Sequence, residues 1–473
     1  MSRELSVIAV AVAVVSHAAS PAPSLATTAG ELGGCGGTVP ERVLSANPST
    51  YGSVVSSLQP GDLLQLDAGT YTGGLWLWDL HGEEDRCIII EGPETGPAAV
   101  FVGSSSFNTV SIRDASYLVV RDLELDGSGT WGDGVKAEST GIEAHHITLE
   151  NLSIHDHDLD QQVVGISTKC PAWNWVIRRN IIDRAGTGMY LGNSDGSAEF
   201  VNGLVEHNLV VDTVGYNVQV KHQNARTRPA MPVPAQTLIR HNVFSKADNG
   251  SSGGAARPNL LVGHWPLSGD GADDNYLIYG NFFYMNPNEA LFQGEGNIIF
   301  FANLLVNHAG PAVHVQPHND VPRRIRIVQN TVVATGMGIR VGGGDPGHSQ
   351  QVTGNASFAG TPLSGGTQTD NVTGTHAAAS SFLVNPDGVI SGGTDRLDLY
   401  PLSNMLSGPP MDLSGVDGYE DIELDFNGSR RPGTFRGGYA GDGSNPGWLL
   451  ALERKPDTGI FADGFESGDT TAW

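Results

Sequence analysis

The residues whose types and spacing suit chemistry lie in three short segments of this chain: VQVKHQN (218–224), TLIRHNVF (237–244) and PNLLVGHW (258–265). Lys221 is the residue to single out. A lysine of lowered pKa takes a proton, a histidine or tyrosine returns one, and a nearby cation offsets the negative charge that develops between the two steps. Those are the needs of β-elimination in a uronic-acid polymer: a base for the C5 proton, positive charge beside the carboxylate, and an acid for the leaving oxygen. A lone exposed lysine is ordinarily a solvated charge, so the reading rests on its surroundings. Gln219, His222, Gln293, His314, Gln316 and His318 offer hydrogen bonds to hydroxyls. Trp265 offers a flat apolar surface, Arg226, Arg240 and Arg340 offer positive charge, and Glu295 a carboxylate.

The elements that must position them are repeats. Between about residues 110 and 371 a phrase recurs: a short apolar strand, usually an Asn, a second apolar strand, a Gly-containing turn, a third strand. WVIRRNIIDRAGTGMYLGN (175–193) and IRIVQNTVVATGMGIRVGGG (325–344) show it clearly. The recurring residues Asn151, Asn180, Asn208, Asn242, Asn281, Asn303, Asn330 and Asn355 are 29, 28, 34, 39, 22, 27 and 25 apart by subtraction. Such periods mean stacked coils, and strand-length Val/Ile/Leu/Phe runs leave no room for helical repeats. The expected fold is all-β, a parallel β-helix whose equivalent positions lie roughly 4.8 Å apart in successive coils. The asparagines are expected in tight bends, in left-handed geometry and bonded to the next coil. Inward pairs on the third strands read Met189/Leu191, Val218/Val220, Leu260/Val262, Ala290/Phe292, Val313/Val315 and Ile339/Val341. Alternation then puts Tyr190, Gln219, Leu261, Leu291, His314 and Arg340 in one outward row, and Gly192, Lys221, Gly263, Gln293, Gln316 and Gly342 in the next.

A net charge of -25 argues against nucleic acid and anionic membranes as partners. The charge is uneven. From 213 to 269, Lys221, Arg226, Arg228, Arg240, Lys246 and Arg257 stand against Asp248 alone, 6 minus 1 or +5, which suits an acidic polysaccharide. Arg3, the apolar run 5–15 and small residues to Ala18 read as a secretory signal within residues 1–26, and no later run is long enough to span a bilayer. The expected product is a secreted or periplasmic monomer. Residues 43–371 are assigned to the β-helix, 372–456 to an irregular cover over its far end, and 457–473 to an acidic tail that would sort or retain the protein at the surface. Three cysteines allow one disulfide, Cys35 with Cys87 being one pairing. The run from His155 to Asp160 resembles a calcium loop, but Gln161 and Ser167 replace the glycine and closing glutamate it needs.

The stretch 43–71, with an amphipathic segment before Leu-Gln-Pro-Gly-Asp, resembles the opening of the pectate-lyase-like superfamily of right-handed, single-stranded parallel β-helices, in which a short helix caps the core. The three segments around Lys221 resemble the catalytic coils of the chondroitinase B and alginate lyase family. That resemblance implies Lys221 as the base and His264 as the assisting histidine. The family's arginine falls on Gly263 and its two acidic calcium ligands on Val214 and Tyr216. Arg226, Arg228, Arg240 and Arg257 are candidates for the missing charge, and no cofactor is assigned, with calcium left open. The expected function is a lyase for a uronate-containing polysaccharide. The alternatives are a non-catalytic glycan-binding or cell-surface protein and, third, a glycoside hydrolase using Glu295 with a second carboxylate such as Glu289 or Asp273-Asp274.

Overall fold

The computed structural model describes residues 32–457 except 140, 391, 392 and 394. The expected signal segment and residues 458–473 of the acidic tail lie outside the described residues. Thirty-five strands form one continuous parallel sheet wound into coils. Paired strands run from Arg42–Ala46 to Val372–Gly374.

Each complete coil contributes a first, second and third strand, and each strand pairs with its equivalent in the next coil. One inward column of first strands shows why the stack holds. Leu64, Ile90, Val120, Leu149, Ile177, Val205, Ile239, Ile278, Phe300, Ile327 and Val352 are in register, each at most 1% exposed. Each such side chain buries its surface only against neighbouring coils, worth roughly 1.5–3 kcal/mol apiece.

The corner between first and second strands is an asparagine ladder. Asn208 donates its backbone N–H (3.0 Å) and side-chain amide (2.9 Å) to Asn242 Oδ1, and the amide also reaches the Ile177 carbonyl (2.9 Å). The same pattern runs from Asn180 to Asn371. Two details differ from the sequence reading. The left-handed residue is the one before the ladder asparagine, as at His207 (φ 52°), His241 (φ 56°) and Gln329 (φ 53°). Asn151 occupies that bend position itself (φ 52°), and Leu152 takes the ladder place, donating to Asn180 Oδ1. The bend turns the chain, and the asparagine after it satisfies the carbonyls the turn frees.

The helix Tyr51–Val55 caps the first coils, with Val55 and Leu58 buried and the Tyr51 ring edge-on to Tyr71 at 5.1 Å. Cys35 and Cys87 are disulfide-bonded, and Cys170 is a buried free thiol. The C-terminal cover lies along the flank rather than over the far end. Leu383, Leu399, Phe426, Tyr439 and Leu450 pack on Val243, Phe282, Leu304 and Val333, while Val416 joins Leu238, Leu277 and Ile299. The outward sides of these strands are apolar and need covering, whereas the last first-position strand, Thr367–Thr369, is polar and exposed. Among the described residues no helix is long and apolar enough to cross a membrane.

Candidate active site

The third strands present an outward row that reads Trp76, Ser111, Lys136, Ser167, Tyr190, Gln219, Leu261, Gln293, His314 and Arg340. One coil departs from the sequence register by two residues. Phe292 and Gly294, not Ala290 and Phe292, take the inward places opposite Leu260 and Val262. Leu291 is therefore buried, Gln293 joins the row of Gln219, and Glu295 takes the place assigned to Gln293. A glycine facing inward carries no apolar signature. A Cβ there would crowd the core, with Ile298 Cδ1 at 2.7 Å and Val262 Cγ2 at 2.9 Å, so neighbouring side chains would have to shift.

Just beyond the strand ends a second row follows: Lys169, Gly192, Lys221, Gly263, Glu295. Two lysines two coils apart flank Tyr190. Lys169 Nζ lies 3.3 Å from the Tyr190 ring centroid and Lys221 Nζ 5.8 Å from it. Gly192 between them leaves the gap open, since a Cβ there would meet Lys221 Cβ at 3.2 Å. Around them lie two adjoining hollows that share Tyr216, Gln219 and Lys221. One, of about 100 Å³, is bounded by His222, Gln293, His314 and Gln316. The other, of about 360 Å³, adds Lys136, Lys169, Tyr190 and Arg257.

Burial governs the protonation of these groups. It pushes the Lys221 ammonium below its ordinary pKa against the opposing pull of Glu295, and pushes Lys169 down to about 8. It raises the Tyr190 phenol to about 12 and also raises Tyr216, which Arg257 partly offsets from 5.8 Å. His222 is lowered by burial and by His264, and His314 by burial. The cleft thus holds lysines inclined to lose a proton beside phenols that keep theirs.

The expected site residues divide. Gln219, Lys221, His222, Gln293, Glu295, His314, Gln316 and His318 all line the cleft. Arg340 follows His314 in the row and is exposed. His264 stacks on His222 at 5.0 Å and faces Asp320 at 3.6 Å, one layer from the wall. Trp265 does not reach the groove: it is fully buried, stacked on Tyr276 at 4.4 Å, because the chain turns inward after His264. Arg226 is buried in an ion pair with Asp274. Arg240 lies on the outer side of a first strand, paired with Glu206 at 2.8 Å and with Glu420. Arg228 faces Glu143 at 3.4 Å. Of the six cations in the basic segment, Lys221 and Arg257 reach the cleft. Lys136 and Lys169 come from earlier coils and were missed. Carrying the alternation of the third strands back three coils from Gln219 finds Lys136, and matching strand ends finds Lys169.

The two cleft carboxylates are engaged. Asp133 pairs with Lys136 at 3.1 Å. Glu295 accepts backbone N–H groups from His318, Asn319 and Asp320 at 2.9, 3.1 and 3.1 Å. Glu289 accepts the Ala290 N–H at 2.9 Å and Asp273 pairs with Arg324.

No family model matches the chain, and no curated protein matches it in sequence. Solved structures similar to it include a GH136 lacto-N-biosidase from Eubacterium ramulus, 13% identical over 70% of this chain and 68% of that one, with a TM-score of 0.46. A mannuronic acid specific polysaccharide family 6 lyase from human gut microbiota is 14% identical over 70% and 83%, at 0.42. Pectate lyase Pel9A is 12% identical over 89% and 98%, at 0.41. The protein's own strand pairing makes it a parallel β-helix.

Two features set this parallel β-helix apart from the family pattern that its sequence resembles. Gly263 stands at the arginine position, and a Cβ there would lie 2.3 Å from the His222 nitrogen, so no larger residue fits. At the calcium-ligand positions, Val214 brings no side-chain donor and Tyr216 a protonated phenol. The Val214 and Gly215 carbonyls instead accept from the buried Lys246 ammonium. A second cation beside that ammonium would be repelled, so these residues do not fit calcium. Further off, Asp126, His155 and Asp156 converge, but His155 bonds Asp156 at 2.8 Å and Glu124 at 3.2 Å, and Arg184 holds Asp156 at 2.8 Å.

Proposed function

We propose that the cleft binds an acidic polysaccharide and cleaves it beside a uronate unit by β-elimination. The observation that carries this reading is the lysine–glycine–lysine row straddling Tyr190, within a chain of net charge -25. Four cations, Lys136, Lys169, Lys221 and Arg257, face a cleft whose two carboxylates are already engaged. Such a surface in an acidic protein selects an anionic ligand. The Lys221 side chain makes no hydrogen bond or ion pair among the described residues, so its lone pair is available once it loses its proton. It takes the C5 proton. The C5–H electrons become the C4–C5 double bond, the C4–oxygen bond breaks, and Tyr216 returns a proton to the leaving oxygen. Arg257 and Lys169 offset the charge spread onto the carboxylate. His264 orients His222 rather than touching substrate.

A glycan-binding protein without catalysis is the second reading, favoured by the loss of the arginine at Gly263. The hydrolase reading is weakened because Glu295 is held by three N–H donors and, among the described residues, no free carboxylate lines the hollow beside it. The deciding experiment incubates the purified protein with alginate, pectate, chondroitin and dermatan, with and without chelator, and follows ultraviolet absorbance from new C4–C5 double bonds. The lyase reading expects a chelator-resistant rise that Lys221→Ala removes. Binding without a rise on any of these polymers would select the glycan-binding reading.

A further inference from the structure

The row that holds Gln219, Tyr190 and Lys136 does not stop at the cleft. It continues through Ser111 to Trp76, two coils past Lys136 and five from Gln219, or roughly 24 Å at about 4.8 Å per coil. Trp76 and Trp78 are 38% and 41% exposed, while Trp175 and Trp265 are fully buried. Two exposed indoles on a sheet face that elsewhere carries lysine, serine and glutamine need an explanation.

Their geometry is fixed. Trp76 donates its indole N–H to the Gly73 carbonyl (2.9 Å), and Trp78 donates to Ser111 Oγ (2.7 Å). Ser111 in turn donates to Glu138 at 2.9 Å, and Asn108 holds the same carboxylate oxygen at 2.6 Å. The rings stand edge to face with centroids 5.0 Å apart, and Phe107 supports Trp76 at 5.6 Å. With both N–H groups bonded to the protein, what remains for a ligand is ring surface. Arg113 lies 5.6 Å over the Trp78 ring and adds positive charge beside it. Trp131, on the loop where Gly132 packs against the Phe107 carbonyl, is 59% exposed.

A pyranose offers one apolar C–H face and, in a uronate, a carboxylate at its edge. An indole and a guanidinium side by side match that pair of features. We propose that Trp76, Trp78 and Arg113 form a distal subsite for the same acidic polysaccharide, whose chain runs along the third-strand face from this shelf to Lys221. The inference rests on the cleft reading above and adds direction and reach. Only chains long enough to span the distance gain from both ends, by the effective concentration that the cleft gives the shelf.

The test measures affinity of the full chain for acidic oligosaccharides of increasing length and for the polymer, in wild type, Trp76→Ala/Trp78→Ala, Arg113→Ala and Lys221→Ala/Lys169→Ala. Arg113→Ala leaves the indoles in place and guards against a fold defect in the double variant. The expected result is a loss of about tenfold or more for the polymer in the tryptophan variant, a smaller loss in Arg113→Ala, and none for dimers or trimers in either. If wild type binds polymer, the lysine variant weakens it, and the tryptophan variant binds like wild type, the shelf inference is overturned and the cleft stands. Equal losses for short and long chains would also overturn it. If wild type binds no acidic polymer, both readings fall.

Discussion

The asparagine corner and the outward row of the third strands are built by the same repeat, coil by coil, yet they follow opposite rules. At the corner one residue type recurs from Asn180 to Asn371, fully buried from Asn180 to Asn355, and each makes the same bonds to its neighbours. In the row almost every coil brings a different residue, from Trp76 through Lys136, Tyr190 and Gln219 to Arg340. A buried amide must find its partner in the next coil, so the corner tolerates only a residue that is both donor and acceptor. The row lies on the outward face, where Trp76 and Arg340 are exposed and Lys136, Tyr190, Gln293 and His314 half-buried, so its composition is freer to serve a ligand. Beside it some groups remain unpaired: His222 Nδ1 and His314 Nε2 are buried without hydrogen-bond partners among the described residues. Uniformity marks the part that holds the coils together; variation marks the part left free to meet a ligand.

The largest expected effect breaks the two apart. Lys221→Ala should lower turnover by about 10²–10⁴-fold, the usual worth of a general base, while moving the urea midpoint very little. Asn242→Ala should do the reverse. It strips Asn208 of an acceptor and leaves the Val205 carbonyl without the amide that now reaches it at 2.9 Å. At about 1–3 kcal/mol per orphaned buried group, a loss of several kcal/mol in denaturant titrations is expected. Hydrogen exchange should place the loosening in the coils around 205–281. Catalytic collapse in Asn242→Ala without destabilisation would break the comparison.

The two regions were not equally legible in the sequence. The corner was, because its asparagines recur; even so, Asn151 was placed one position late, since asparagine also suits the left-handed bend. The row was legible only where apolar residues flanked it. Val218/Val220 and Leu260/Val262 fixed Gln219 and Lys221. Gly294, inward but with no side chain, hid the register of the next coil and displaced Glu295. The basic segment misled for another reason. Proximity in sequence does not say which face a cation takes, and Arg226 and Arg240 found carboxylates elsewhere. Lys136 and Lys169 reach the cleft from coils outside that segment, and only the stacking brings them there.

Lys455 carries the logic of the corner to the flank. Its buried ammonium bonds Phe426 O at 2.6 Å, Gly280 O at 3.0 Å and His241 Nδ1 at 3.0 Å, fastening the cover to two bend residues. Burial pushes its pKa from 10.5 down to about 7. Above pH 7 the unfolded chain then holds more of this proton than the folded one, so stability rises with pH from about 7 toward 10.5. Lys246, lowered to about 8, adds to the rise only further up. In Lys455→Met the gain between pH 7 and 8, about 1 kcal/mol by linkage, should largely vanish from urea midpoints. A gain that survives would mean the ammonium keeps its charge through this range.

The smallest expected effect sharpens the comparison most, because Glu295 has features of both regions. It is 3% exposed, like the ladder, yet it ends up beside Lys221 in the cleft wall. Its carboxylate gathers the N–H groups of His318, Asn319 and Asp320, and its charge holds the Lys221 pKa up. Glu295→Gln replaces charge-assisted bonds with weaker ones and loosens a loop that lines the cleft, so KM should rise by only about three- to tenfold. Removing the charge also lets the Lys221 pKa fall further. The rising limb of the pH–rate profile should therefore move to lower pH, with kcat at its plateau little changed. A hydrolase that used Glu295 as its acid would respond differently, losing turnover by about 10²-fold or more at every pH. That outcome would pass the acid–base role to the carboxylate and make Lys221 a binding charge.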